Sequence, residues 1–234
     1  MMQFTQGLHR SVQQHPQMIA TVCGGRRQTF QQQAERVSRL AGGLASVGIS
    51  KGDRVAILSL NSDHYLECYL AIAWLGAVVN PANFRWSNAE VVYSLNDSES
   101  SVLIVDAHFA DQAEEIQRGA SCVKHLLYIG DGDTPEGMIG AESLIRDNPP
   151  IADTEAGNDD LFGIFYTGGT TGAPKGVMLS HRNIFSSALA LLAEGLLPEG
   201  AIGMHNAPMF HLADMMLTTG LLIRGGSHVF LPAF

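Results

Sequence analysis

From Arg54 to Ile129 the sequence alternates short apolar runs with longer segments that carry an apolar face, and this alternation restricts the fold more than any other feature. The runs Arg54 to Leu60 (RVAILSL), Val102 to Asp106 and His125 to Ile129 have the length and composition of buried parallel strands. Between them the sequence predicts helices. The first runs from Asp63 to about Gly76, with Ser62 or Asp63 able to cap it, and is apolar over most of its surface, so it must pack inside. The next runs from Ser87 to Leu95, with Ser87 as cap and Glu90 three residues on, and a third spans Ala110 to Arg118. Strands linked through helices imply right-handed crossovers. The expected fold is α/β, with mainly parallel sheets covered by helices on both faces.

The flanking regions extend this pattern. The opening MMQFTQGLHRSVQQHP resembles an amphipathic first helix, not a secretory signal, because it lacks an apolar core behind a basic start. Met18 to Cys23 and Gln28 to Phe30 flank Gly24-Gly25 and predict a short β-hairpin. Phe30, Ala34, Val37, Leu40, Ala41 and Leu44 recur at helical steps up to Gly48. The stretch Gly130 to Asp160 is rich in Gly, Pro, Asp and Asn, and reads as an exposed connection with a short helix near Ala141 to Arg146. It sets the expected boundary between a first α/β subdomain, 1–155, and an incomplete second one, 156–234. Beyond it the sequence predicts strands at Leu161 to Tyr166, Ala201 to Ala207 and His228 to Leu231, and an extended segment from Gly176 to Leu179. Helices are expected at Asn183 to Leu197, capped by Ser180, and at Asp214 to Ile223, ended by Gly225-Gly226.

Composition narrows the function. With 46% hydrophobic and 16% charged residues, the 234-residue chain can bury a large core. A formal net charge of −9 argues against a general nucleic-acid binder, which needs a basic surface to displace counterions. The cysteines Cys23, Cys68 and Cys122 lie far apart without metal-ligand spacing, so neither a disulfide framework nor a zinc site is expected, and a cytoplasmic location fits. The longest apolar run, Leu70 to Val79, is about half the ~20 residues that cross a bilayer as a helix.

The segment Tyr166 to Gly176, YTGGTTGAPKG, follows a predicted strand directly. Glycines let backbone amides approach phosphate oxygens, Thr167, Thr170 and Thr171 add hydroxyls, and Lys175 supplies positive charge behind the stiffening Pro174. A Walker loop requires GxxxxGK followed by Ser or Thr, whereas Lys175 follows Pro174 and precedes Gly176. The dinucleotide fingerprint GxGxxG follows no predicted strand.

YTGGTTGAPKGV followed by LSHRN resembles the signature loop of the adenylate-forming superfamily, whose members include acyl-CoA synthetases, aryl-CoA ligases and the adenylation domains of peptide synthetases. Asn206 to His211, NAPMFH, resembles the Pro-Leu-Phe-His segment beside the acyl pocket of CoA ligases in that superfamily. The resemblance implies that Thr167, Gly168, Gly169, Thr170, Thr171, Gly172 and Lys175 bind the ATP phosphates. It implies a gating and polar-contact role for His211 near the phosphates and the acyl carboxylate, with Met209, Phe210 and Asp214 at the substrate. Many relatives carry glycine where this chain has Asp214, which bears on the shape of the pocket floor. Asn80, Asn83 and Arg85 read as capping or turn residues as readily as ligand contacts, and His181 and Arg182 either serve the start of a helix or place charge near phosphate.

The implied reaction is attack of a carboxylate on the α-phosphorus of ATP, loss of pyrophosphate, and transfer of the acyl group to a thiol, that of coenzyme A. Mg²⁺ is expected on the phosphate oxygens, with no protein residue assigned as its ligand. A fatty acid is the leading substrate, with aryl-CoA ligase as the nearest rival and a non-catalytic nucleotide-binding fragment as the reading from another class. A homodimer is one assembly left open. The resemblance covers only the N-terminal part of the superfamily's sequence pattern, so the 234 residues alone are expected to be inactive.

Overall fold

Capping side chains set where five of the described helices begin in the computed structural model, which describes residues 1–168 and 174–231. Helix α1 (Gln6–Gln14) precedes the hairpin of β1 (Ile19–Cys23) and β2 (Arg26–Thr29), whose turn uses Gly24 at φ +57°. The Thr29 hydroxyl then accepts from Gln32 N, and the Gln32 side chain accepts from Thr29 N, opening α2 (Phe30–Ser46). Strand β3 (Arg54–Leu58) leads to α3 (Asp63–Trp74), capped by Ser62, and on to β4 (Val78–Pro81). Ser87 and Glu90 form the expected capping box of α4 (Asn88–Ser98). There follow β5 (Val102–Val105), α5 (Ala110–Gly119), β6 (His125–Tyr128), β7 (Ile139–Gly140) and α6 (Ala141–Asp147). After the connection come β8 (Leu161–Thr167), β9 (Lys175–Ser180), α7 (His181–Ala193) capped by Ser180, β10 (Ile202–His205), α8 (Leu212–Arg224) and β11 (Ser227–Phe230).

The strands form two sheets. The seven-stranded sheet runs β7-β6-β5-β3-β4-β8-β9 and is parallel except for the antiparallel β8–β9 pair. Alternate residues feed two cores: Val55, Ile57, Val102 and Ile104 on one face, Ala56, Leu58, Leu103 and Val105 on the other. The four-stranded sheet runs β10-β11-β1-β2, parallel up to the hairpin. Coverage of both faces, expected for every sheet, is less complete here, since Ile202 and Met204 are exposed. Among the described residues no helix is long and apolar enough to cross a membrane.

Two features depart from the sequence reading. Strand β4 was not foreseen, because its first two residues, Val78 and Val79, continue the apolar run that begins in α3. The expected division at residue 155 does not coincide with a division between the sheets. Strands β8 and β9 complete the sheet built by β3 to β7, and β1 and β2 join β10 and β11.

Helix α3 is buried along its whole length, including Asp63 and Glu67. Arg26 pairs with Asp63, and Arg36 pairs with both Glu67 and Glu142 of α6. His64, Glu67 and Glu142 lie close enough to hold a cation, and the Arg36 guanidinium already donates to both carboxylates. Burial pushes the Glu67 carboxyl up, but hydrogen bonds from His64 and Arg36 outweigh it and hold the group at about 2.

A carboxylate with a depressed folded pKa contributes stability above its unfolded value, and that contribution is lost as pH falls through the folded one. Urea stability should therefore fall between about pH 4.5 and 2, and Glu67→Gln should flatten that slope relative to wild type. Gly7 of α1 lies where a Cβ would run into the carbonyl of Leu222 in α8. Gly7→Ala should cost about 1–3 kcal/mol in urea unfolding, because backbone cannot yield as a side chain does.

Candidate active site

The hairpin of β8 and β9 brings Thr167 opposite Lys175, and both side chains are exposed at the end of the parallel sheet where β8 leaves it. Gly168 continues from β8 and is also exposed, whereas Gly169, Thr170, Thr171 and Gly172 lie outside the described residues. Ligands of open α/β sheets bind beyond the carboxyl ends of the strands, which is the position of Thr167 on β8 and of the segment after His205 on β10. Tyr166 anchors the hairpin by donating from its hydroxyl to Asp97 at 2.6 Å.

The segment 206–211 is fixed from below. Asn61, at the start of α3, donates to the carbonyls of His205 (3.1 Å) and Ala207 (2.7 Å) and accepts from Met209 N (2.8 Å). Tyr69 donates to the Met209 carbonyl at 2.8 Å. Met209 is fully buried, so its side chain packs into the core, and Met215 does the same. Phe210 is half-buried and meets Phe84 edge-on at 5.1 Å, while Trp86, two residues on, meets Tyr166 at 6.1 Å. The turn 84–86 thus lies between the segment 206–211 and the β8–β9 hairpin.

His211 is the N-cap of α8, with its side chain exposed and its Nδ1 accepting from Ala213 N at 3.3 Å. It stands where the positive end of the helix dipole favours an anion. Asp214 has a different setting from the one expected. Its carboxylate is sealed from solvent, 2.9 Å from His205 Nδ1, and accepts from Thr218 at 3.2 Å. The carboxylate is engaged by protein groups, and the His205–Asp214 pair joins the two ends of the 206–211 segment. A groove of about 180 Å³ between α7 and α8 is lined by the apolar Leu179, Ile184, Leu212, Met215 and Met216 and by the polar Asn183 and Ser187. A larger groove of about 380 Å³ at Gln6, Arg10, Phe185 and Ile223 contains none of the expected site residues.

The residues left open by the sequence have structural partners. Asn80 is buried and donates to the hydroxyls of Ser98 and Ser100, and Asn83 accepts from Arg85 N in a turn. His181 is buried, accepts from Phe4 N, and is lowered to about 4 by desolvation, so it is a neutral tie to the N-terminus. Arg182 pairs with Asp159 on the surface. Asn61, Tyr69 and His205, which organise the segment, were missed. The sequence reading gave Asn61 no role, and Tyr69 lay within a helix read as apolar over most of its surface. Only the nine-residue spacing of His205 and Asp214 around NAPMFHL could have signalled their pairing.

Comparison with known proteins fits this arrangement. Residues 8–234 match the AMP-binding enzyme family, and the chain belongs to it. It is 36% identical over 226 residues to a feruloyl-CoA synthase from Amycolatopsis sp, covering 96% of this chain and 43% of that protein. It is also 36% identical over 206 residues to a long-chain-fatty-acid–CoA ligase from Thermus thermophilus, covering 87% and 37%. Among solved structures, an inhibitor-bound N-terminal domain of FACL13 from Mycobacterium tuberculosis superposes with a TM-score of 0.89 at 31% identity, covering all of this chain and 58% of that one. The chain spans less than half the length of these two curated relatives.

Replacing Asn61 by Ala would leave one backbone amide and two carbonyls without their partner. The expected cost is about 2–3 kcal/mol in urea unfolding, with faster hydrogen exchange at the Met209 amide. An unchanged exchange rate would mean that Asn61 does not hold the segment.

Proposed function

We propose that the chain is the phosphate-gripping and acid-positioning part of an ATP-dependent acid–thiol ligase that makes a coenzyme A thioester through an acyl-adenylate. The observation that carries this reading is the hairpin that pairs Thr167 with Lys175, both exposed, in a chain of the AMP-binding family. A cation and a hydroxyl at a glycine-rich strand end suit the oxygens of a polyphosphate. Thr167, Gly168 and Lys175, together with Gly169, Thr170, Thr171 and Gly172, would hold the phosphates of ATP. Lys175 would stabilise charge on the pyrophosphate as the acid's carboxylate attacks the α-phosphorus. Thr167 and Lys175 offer neutral and cationic groups and no anionic metal ligand, so Mg²⁺ would enter on the phosphate oxygens and neutralise their charge there. His211, exposed at the head of α8, would meet the acid's carboxylate and gate its approach. Phe210 would shape the path of the acid, with Met209 and Asp214 acting from beneath it to hold the segment in place.

The acid is proposed to be apolar, with a fatty acid as the leading substrate. Support comes from the Thermus relative and from the apolar groove at Leu212, Met215 and Met216. The feruloyl-CoA synthase relative, matched over 96% of the chain, favours an aryl acid as the second reading.

Lys175→Ala should weaken equilibrium binding of a fluorescent ATP analogue by about tenfold, or about 1.4 kcal/mol, with the circular dichroism spectrum unchanged. Equal affinity in the variant would remove Lys175 from the phosphate site. The 234-residue chain is expected to give no full turnover in acid-dependent ATP–pyrophosphate exchange. In a longer polypeptide carrying these residues, thioester formation with a panel of aliphatic and aryl acids decides the substrate, and no thioester with any of them would overturn the ligase reading.

A further inference from the structure

The hairpin that carries Thr167 and Lys175 runs past the sheet that supports it. Strand β8 is registered with β4 at Gly163 alone, and from Ile164 to Thr167 its registered partner is β9, the edge strand of the seven-stranded sheet. A two-stranded ribbon is marginally stable by itself, so the geometry at its end depends on side chains. Successive residues of a strand face opposite ways, and paired positions share a face. Thr167 and Lys175 therefore share one face, and the adjacent pair, Tyr166 and Gly176, the other.

Three contacts hold Tyr166 on that second face. Gly176 leaves room for its ring: a Cβ there would stand 3.0 Å from Tyr166 Cζ, 3.2 Å from the hydroxyl oxygen and 2.6 Å from Ile164 Cγ2. Glycine within a strand marks a place where another group approaches the backbone closely, and an aromatic ring across from it restores the packing that glycine lacks. Gly176, the last residue of YTGGTTGAPKG, thus makes way for the first residue of the same segment. The Tyr166 hydroxyl donates to Asp97 on α4 at 2.6 Å, and its ring meets Trp86 edge-on at 6.1 Å.

We propose that Tyr166 is a positioning residue for the phosphate site: its ring, laid over Gly176 and held by Asp97 and Trp86, fixes the end of the hairpin so that Lys175 stays paired with Thr167. Tyr166 lies on the face away from Lys175, so it acts through the backbone that carries the lysine and not by touching phosphate. The turn that supplies Trp86 also sets Phe84 against Phe210, so one turn braces both the hairpin and the segment 206–211. The role rests on the reading of Lys175 as a phosphate-binding group.

Affinity for a fluorescent ATP analogue, measured on the whole 234-residue chain, tests it. Tyr166→Phe removes only the hydroxyl, and Asp97→Ala removes its acceptor from the other side. Each should weaken binding by about three- to tenfold, the size of one hydrogen bond. Asp97→Asn keeps an acceptor and should bind within about twofold of wild type. In a Lys175→Ala background Tyr166→Phe should change affinity by less than about twofold, because a residue acting through Lys175 has nothing left to position. The positioning role alone is overturned if Lys175→Ala weakens binding while Tyr166→Phe and Asp97→Ala do not, or if Tyr166→Phe keeps its full effect without the lysine. Unchanged binding in Lys175→Ala overturns both the role and the phosphate reading beneath it.

Discussion

The sealing of α3 inside the molecule, with two carboxylates on it, is the constraint on which most of the structure rests. Every residue of this helix is buried, and Asp63 and Glu67 go in with it. A buried charge without a partner costs several kcal/mol, so the helix can occupy this position only where cations meet it. Arg26 arrives from the β1–β2 hairpin and Arg36 from α2, and Arg36 also holds Glu142 of α6. The hairpin, α2 and α6 are thereby tied to one element by charge as well as by apolar packing.

The same helix supports the candidate site. Asn61, just ahead of it, and Tyr69, within it, hold the backbone from His205 to Met209. That segment belongs to the second sheet by its strand and to the first by its hydrogen bonds, so α3 spans the join between them. The His205–Asp214 pair closes the segment at its other end. His211 is then left at the head of α8, exposed, on a backbone that has little freedom. Preorganised groups of this kind suit a reaction in which positioning and charge stabilisation carry most of the work.

Much of this was legible from the chain. Helix starts at Ser62, Ser87 and Ser180 were readable because the hydroxyl that caps a helix is local to it, and each appears as the cap in the structure. Strands β3, β5 and β6 were readable as short apolar runs, and Thr167 and Lys175 as parts of one loop because they are close in sequence. The role of Asp214 was not readable. Its substitution for glycine suggested a change at the substrate, whereas its carboxylate turns inward to a histidine nine positions earlier. Nor could the sequence show that the hairpin near the start lies beside β11 near the end, since register across more than two hundred residues leaves no periodic trace.

The sequence by itself determined the α/β class, the starts of the helices capped by Ser62, Ser87 and Ser180, and the closeness of Thr167 and Lys175, because each rests on residues within a few positions of one another. The tertiary structure alone decided that the strands sort into two sheets across the expected boundary, that Arg26 and Arg36 neutralise α3, and that Asp214 serves His205. Those outcomes depend on which distant groups must share a low-dielectric interior. There an unpaired charge or orphaned polar atom is costly enough to select among packings that local preference leaves equal.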